Sequence, residues 1–375
     1  MVDWVAIGLR FAAYADLMLL AGLALGGGLG RHAPAIDRRV IGWLAALGVV
    51  ITIAQFGATC LAMTGNDMAA LDRGMLAFMA FETPMGISHI VRAVALGLLA
   101  VLCSTRRAGR PVIAALAVVA LGSLAWSGHA GASEAALGWV HRSSDVVHLV
   151  AGAIWIAALV MFARILLFDF KTPGAVEAAL TALERFSGIG TIIVGAIVVT
   201  GSINLLAIVD INGLAATFAT AYGRLLLLKL GLFVGMLVLA GFNRWRLVPG
   251  IRATLGGGKQ AIAADRLRRA ITAETTLAFL ILAIVAILGT LSPFGLPAPF
   301  RPFPRCDLPL GKDHEEPTVD PASAHRGAVR RRLLGQCRRS ERGQRRDHDA
   351  DARERYDVDG HDGAKPKRFA GNPGL

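Results

Sequence analysis

Two histidines and an aspartate open the apolar stretch "HRSSDVVHLVAGAIW", at His141, Asp145 and His148. On a helix the spacings i, i+4 and i+7 place all three on one stripe, which Trp155 extends by two further turns. Imidazole is a metal ligand, and a carboxylate beside it can accept one ring N–H and leave the other nitrogen for the metal. Asp145 is therefore expected to orient His148.

Other ligand types gather nearby in sequence. Cys60 and Met63 stand at i,i+3, Met68, Met75 and Met79 follow, and Met85 and His89 stand at i,i+4. Five of the nine methionines fall between Met63 and Met85, and His129 precedes the opening stretch. Thioether sulfur and imidazole suit Cu(I), and imidazole also suits Cu(II). The expected metal set is His129, His148, His89, Met85, Met63, Met68 and His141. Packing competes for these residues: methionine is a common gap-filler, and Cys60 reads as a small apolar one.

The elements that must carry these side chains are membrane helices. The chain of 375 residues is 54% hydrophobic, with a mean hydropathy of +0.55. Apolar runs predict eight spans, at 4–29, 40–64, 84–105, 111–129, 144–168, 186–209, 223–243 and 270–292. The fold class is an all-α polytopic helical bundle, since lipid leaves the backbone no partner but itself.

Charge gives the direction. Alternate loops carry Arg31, Arg38 and Arg39; Arg106, Arg107 and Arg110; Arg164, Lys171 and Arg185; and seven basic residues from Arg244 to Arg269. The intervening loops carry Arg73 and Arg142. Positive loops stay in the cytoplasm, so both ends of the bundle are expected to face the periplasm of a bacterium. All the ligand-type residues above then collect at the outer surface. The formal charge of +12 reflects topology rather than nucleic-acid binding. Four cysteines with no CxxC spacing suggest no disulfide framework, and the first span lacks the features of a cleaved signal.

Asp16, Arg92 and Lys229 are ionisable residues inside spans, each costing roughly 2.5–3.5 kcal/mol near a helix centre, so they need partners or water. An Asp16–Lys229 pair is one solution. Arg92, three residues past His89, would repel a cation held there. Thr200 and Asn204, at i,i+4, are placed to bond between helices. Residues 301–375 have almost no apolar periodicity and form a separate segment, read as a solvated tail or as residues translated out of frame. Its His314, His325, His348 and His361 are poor site candidates.

Four blocks carry a resemblance: "SGHA" at 127–130, "VHLVAGAIWIAAL" at 147–159, "RFSGIGTIIVGAIVVTGSINLL" at 185–206 and "YGRLLLLKLGLFVGMLVLAGFNRWRLVP" at 222–249. In order and spacing they resemble the copper resistance protein D (CopD) family of bacterial inner-membrane proteins, over about residues 5–295. The resemblance implies an eight-span protein that moves copper across the inner membrane. It also implies a small periplasmic copper-binding partner of the CopC type, and family-typical positions for His129, His148 and Trp155. The tail has no β-rich pattern of a fused copper-binding domain, so such a partner would be separate. A membrane b-type cytochrome, with haem between His129 and His148, is the alternative function. No P-loop or phosphorylated-aspartate motif is present, so a transporter without enzymatic activity is expected.

Overall fold

The computed structural model describes residues 4–26, 38–65, 68, 71–105, 108–127, 135–168, 175–208, 218–252 and 260–291. His129 and the segment 301–375 lie outside them. Among the described residues every regular element is helical.

The helices are α1 (Trp4–Gly26), α2 (Arg38–Met63), α3 (Arg73–Phe81), α4 (Pro84–Thr105), α5 (Arg110–Gly122), α6 (Ala135–Phe168), α7 (Ala175–Ile208), α8 (Ala221–Phe242), α9 (Val248–Arg252) and α10 (Gln260–Leu288). A 3₁₀ turn, Ser123–Trp126, extends α5, and a π-helical turn, Asn243–Leu247, joins α8 to α9. Seven segments are long and apolar enough to cross a membrane, and Arg110–Trp126 is a shorter apolar helix. At 1.5 Å per α residue and 2.0 Å per 3₁₀ residue this last helix reaches about 27 Å, a little under a hydrocarbon core of ~30 Å.

Helix ends follow local chemistry. Thr83 caps α4 through a bond from the Gly86 N–H at 3.0 Å, with Pro84 at the first helical position. Gly86 also lets the last carbonyls of α3 approach, since a Cβ there would collide with the carbonyl oxygens of Met79 and Ala80. Thr220 caps α8 in the same way through Gly223. Arg10 on α1 donates to the carbonyl of Gly289 and so serves the C-terminus of α10.

Four features differ from the sequence expectation. The short connection 66–82 contains α3, capped by Asp72. Helix α6 starts at Ala135 rather than 144, because polar residues do not end a helix that no Pro interrupts. His141 therefore lies within α6, 4% exposed, and not in a loop. Helices α7 and α10 likewise begin about ten residues before the apolar runs they carry.

Helix α1 is central and packs against α2, α5, α6 and α10. Small residues allow these close crossings: a Cβ on Gly22 would strike the Ala153 carbonyl and the Ala157 methyl of α6. One core cluster joins Leu17, Leu20, Leu96, Leu99, Leu121 and Trp155 across four of these helices. Because successive spans reverse direction, the basic loops meet at one end of the bundle. His89, Asp145, His148, Thr200 and Asn204 fall towards the other.

Candidate metal centre

Two histidines at that end are held in the same way. His89 Nδ1 donates to the Met85 carbonyl oxygen at 2.8 Å. A carbonyl only accepts, so Nδ1 carries the proton and the neutral ring leaves its lone pair on Nε2. That nitrogen is buried and has no hydrogen-bond partner. His148 Nδ1 lies 3.0 Å from Thr200 Oγ1. The single Thr200 hydroxyl proton goes to the Ala196 carbonyl, so Thr200 accepts from His148. With Nδ1 protonated, the neutral His148 ring carries its lone pair on Nε2, and the ring also reaches the backbone at Ile197. Gly201 permits the fit, since a Cβ there would stand 3.3 Å from His148 Cε1.

The expected partner of His148 is thus replaced. Asp145 does not take its N–H; Asp145 Oδ1 accepts from Asn204 Nδ2 at 3.2 Å, one turn beyond Thr200 on α7. Thr200 orients the imidazole because it projects across the α6–α7 seam at the level of the ring. The i,i+3 aspartate on the same helix turns towards Asn204. Thr200 and Asn204 do bond between helices as their spacing predicts. Ser144 strengthens the seam by donating to the Thr200 carbonyl at 3.1 Å.

The Asp16–Lys229 pair is also replaced. Lys229 on α8 interacts electrostatically with Asp145 and with His148. Asp16 packs against α2, 2.6 Å from where a Gly48 Cβ would be, and neither carboxyl oxygen has a hydrogen-bond partner.

His89 has different company. Its ring packs against Phe56, centroids 5.7 Å apart, and Arg92 lies one turn further along α4. Arg92 is fully buried and donates to Ser123 Oγ (2.9 Å), Ser127 Oγ (3.2 Å) and Gln55 Oε1 (3.3 Å). All three are neutral. The Ser123 and Ser127 hydroxyl protons go to the Ala120 and Leu124 carbonyls, leaving lone pairs for the guanidinium. Tyr14 on α1 interacts with both Arg92 and Asp145 and links the two clusters.

The remaining candidates are dispersed. Cys60 is fully buried in packing, while Met63 and Met68 are 47% and 71% exposed. Met85 contributes its carbonyl to His89. Trp155 is buried edge-to-face on Phe186 at 6.0 Å, with its indole N–H unpartnered. Among the described residues no three His, Cys, Asp or Glu side chains come together as a metal cluster. The ligands on offer are single imidazoles, a set suited to holding a soft ion weakly.

Sequence reasoning missed Gln55, Ser123 and Ser127 around Arg92, and a buried Asn243–Glu274 pair. Glu274 lies inside a span, and the test that singled out Asp16 would have found it. The serines leave no such signal.

The profile of the "Copper resistance protein D" family matches residues 180–288, and that of the "Copper resistance protein D-like, N-terminal domain" matches residues 1–139. Copper resistance protein D of Pseudomonas syringae pv. tomato is 33% identical over 307 residues, covering 78% of this chain and 98% of that protein. The chain belongs to the copper resistance protein D family. Inner membrane protein YebZ of Escherichia coli (strain K12) is 27% identical over 173 residues, 46% of this chain and 56% of that protein. No solved structure matches. Family membership makes this a multi-pass, copper-related membrane protein and does not favour the haem alternative. Both family profiles end before the tail, the later one at residue 288.

Proposed function

We propose that this chain carries copper ions across the inner membrane of a bacterium, as a permease with no enzymatic step, and so contributes to copper homeostasis. The observation that carries the reading is His148: its Nδ1–H is held by Thr200, which leaves the ring's lone pair on Nε2, and Asp145 interacts electrostatically with the nearby Lys229. A neutral imidazole of set tautomer accepts copper without first losing a proton. In this reading the basic loops are cytoplasmic, so this end of the bundle faces the periplasm, where a separate CopC-type protein would deliver or receive the ion. His129 and His141 are further ligands in this reading, and the exposed Met63 and Met68 offer soft sulfur near the surface.

The test is copper movement in proteoliposomes of known orientation. Wild-type protein is expected to move copper in one direction, and His148→Ala at equal abundance is expected to move none. Wild-type protein that binds copper but moves it in neither orientation would leave a membrane copper-binding protein in place of a transporter.

A further inference from the structure

A second polar site lies in the arginine-rich half of the bundle. Glu274 on α10 is 4% exposed, as is Asn243, the first residue of the π-helical turn. Asn243 Nδ2 donates to Glu274 Oε1. Asn243 Oδ1 is buried and has no hydrogen-bond partner. Glu274 stands nine residues into the span Asp265–Leu288, about 13 Å along the helix from its start. We propose that Glu274, with Asn243, is a proton-binding site that takes up and releases one proton within the membrane.

The surroundings explain why the ligand is a proton. Among the described residues no charged side chain is an electrostatic partner of Glu274. The charged groups of the packed elements are engaged elsewhere. Arg10 of α1 bonds the Gly289 carbonyl, and Asp16 of α1 lies against Gly48. On α6, Asp145 bonds Asn204, and His148 bonds Thr200. His141 lies one turn before Asp145 on that helix, Arg142 stacks on Trp139, and Arg164 is exposed. On α8, Lys229 interacts with Asp145, and Arg224 bonds the Ala219 carbonyl. Arg244 of the π turn bonds Ser187 and Thr191, Arg246 is exposed, and Arg252 of α9 pairs with Glu184. On α10 itself, Asp265 takes both Arg268 and Arg269, and Arg266 is exposed.

A buried carboxylate without a counter-charge is costly, and protonation relieves the cost. A neutral amide suits either state. It donates through Nδ2 to the carboxylate, and after a half-turn accepts through Oδ1 from the acid O–H. The surface pair Glu184–Arg252 differs, because a guanidinium holds its partner ionised. A metal ion fits poorly. Ca²⁺ or Mg²⁺ needs about six oxygen ligands, and two hard oxygens do not suit Cu(I). In the loading step hydronium gives its proton to a carboxylate oxygen, forming one O–H bond and leaving water; release to water is the reverse.

The experiment uses full-length protein in lipid nanodiscs. Infrared difference spectra are recorded from about pH 5 to about pH 10, and dicyclohexylcarbodiimide adducts are mapped by mass spectrometry. The expected result is a protonated-carboxyl C=O band that comes and goes across this range and is lost in Glu274→Gln. A carbodiimide adduct on Glu274 should fall as the band falls. Asn243→Leu keeps the carboxyl and should move the band's midpoint by about one pH unit or more. A Glu274 that gives neither band nor adduct, or a band that does not change with pH, would overturn the proposal. Copper titration separates this site from the permease reading: Glu274→Gln should leave copper affinity unchanged, and His148→Ala should leave the carboxyl titration unchanged.

Discussion

His89 on α4 and His148 on α6 share a side-chain type and a tautomer, and they are not equivalent. Each donates Nδ1–H to a fixed oxygen and keeps its lone pair on Nε2. Near His148 stand Asp145 and Lys229, of opposite charge type, which interact electrostatically with each other. Beside His89 stands Arg92, buried among a glutamine and two serines with no carboxylate bonded to it. A cation arriving at His89 meets an uncompensated positive charge in a low-dielectric surround, where Coulomb repulsion is far stronger than in water. Ligand geometry alone does not make a cation site; the nearest fixed charge decides which imidazole can serve.

The comparison is broken most directly by removing each ring. His148→Ala should lower Cu(I) affinity, measured by competition with a chromophoric chelator, by more than the ~10–100-fold typical of losing an outer-shell partner. His89→Ala should change it by less than about threefold, for want of a cation site there. Equal losses in the two variants would show that Arg92 does not exclude the ion.

The comparison is sharpened by the groups behind His148. Thr200→Val keeps the shape of the side chain and removes the acceptor of Nδ1–H, so copper affinity should fall by about 10–100-fold. Asp145→Asn should fall in the same range, through loss of negative charge beside Lys229. An unchanged affinity in Thr200→Val would mean that another group orients the ring. Lys229→Met should act in the opposite direction and tighten binding by up to about tenfold, since a repelling charge is removed. The increase should shrink in Asp145→Asn/Lys229→Met, where both charges are gone.

The smallest effect is expected at Met85. Met85→Leu leaves the carbonyl that holds His89 in place and conserves side-chain volume. It should cost less than about 1.5 kcal/mol in thermal or denaturant unfolding, with transport unaltered. Impaired transport at normal abundance would show that the sulfur meets copper.

Much of this protein is legible along the chain. Hydropathy determined the spans because each must satisfy its own backbone in lipid, and no tertiary contact can substitute for that over some twenty residues. Ionisable residues stood out for the same reason, being costly where they lie. Spacing also marked Thr200 and Asn204 as a pair on one face. Polarity misplaced the start of α6, and with it His141, because a helix continues past the apolar region wherever its backbone is uninterrupted.

The choice of partners was decided only in three dimensions. Asp145 is one turn from His148 in sequence, yet the ring is held by Thr200, fifty-two residues away. Lys229 of α8 interacts electrostatically with Asp145 of α6, not with Asp16, a choice that helix packing alone makes. Arg92 finds Ser123 and Ser127 because the 3₁₀ turn after α5 brings both hydroxyls to one guanidinium. Serine and threonine are cheap to place anywhere in a helix, so their positions carry little information until packing sets them beside a charge. Composition recorded the demand for partners, and helix packing chose which residues met it.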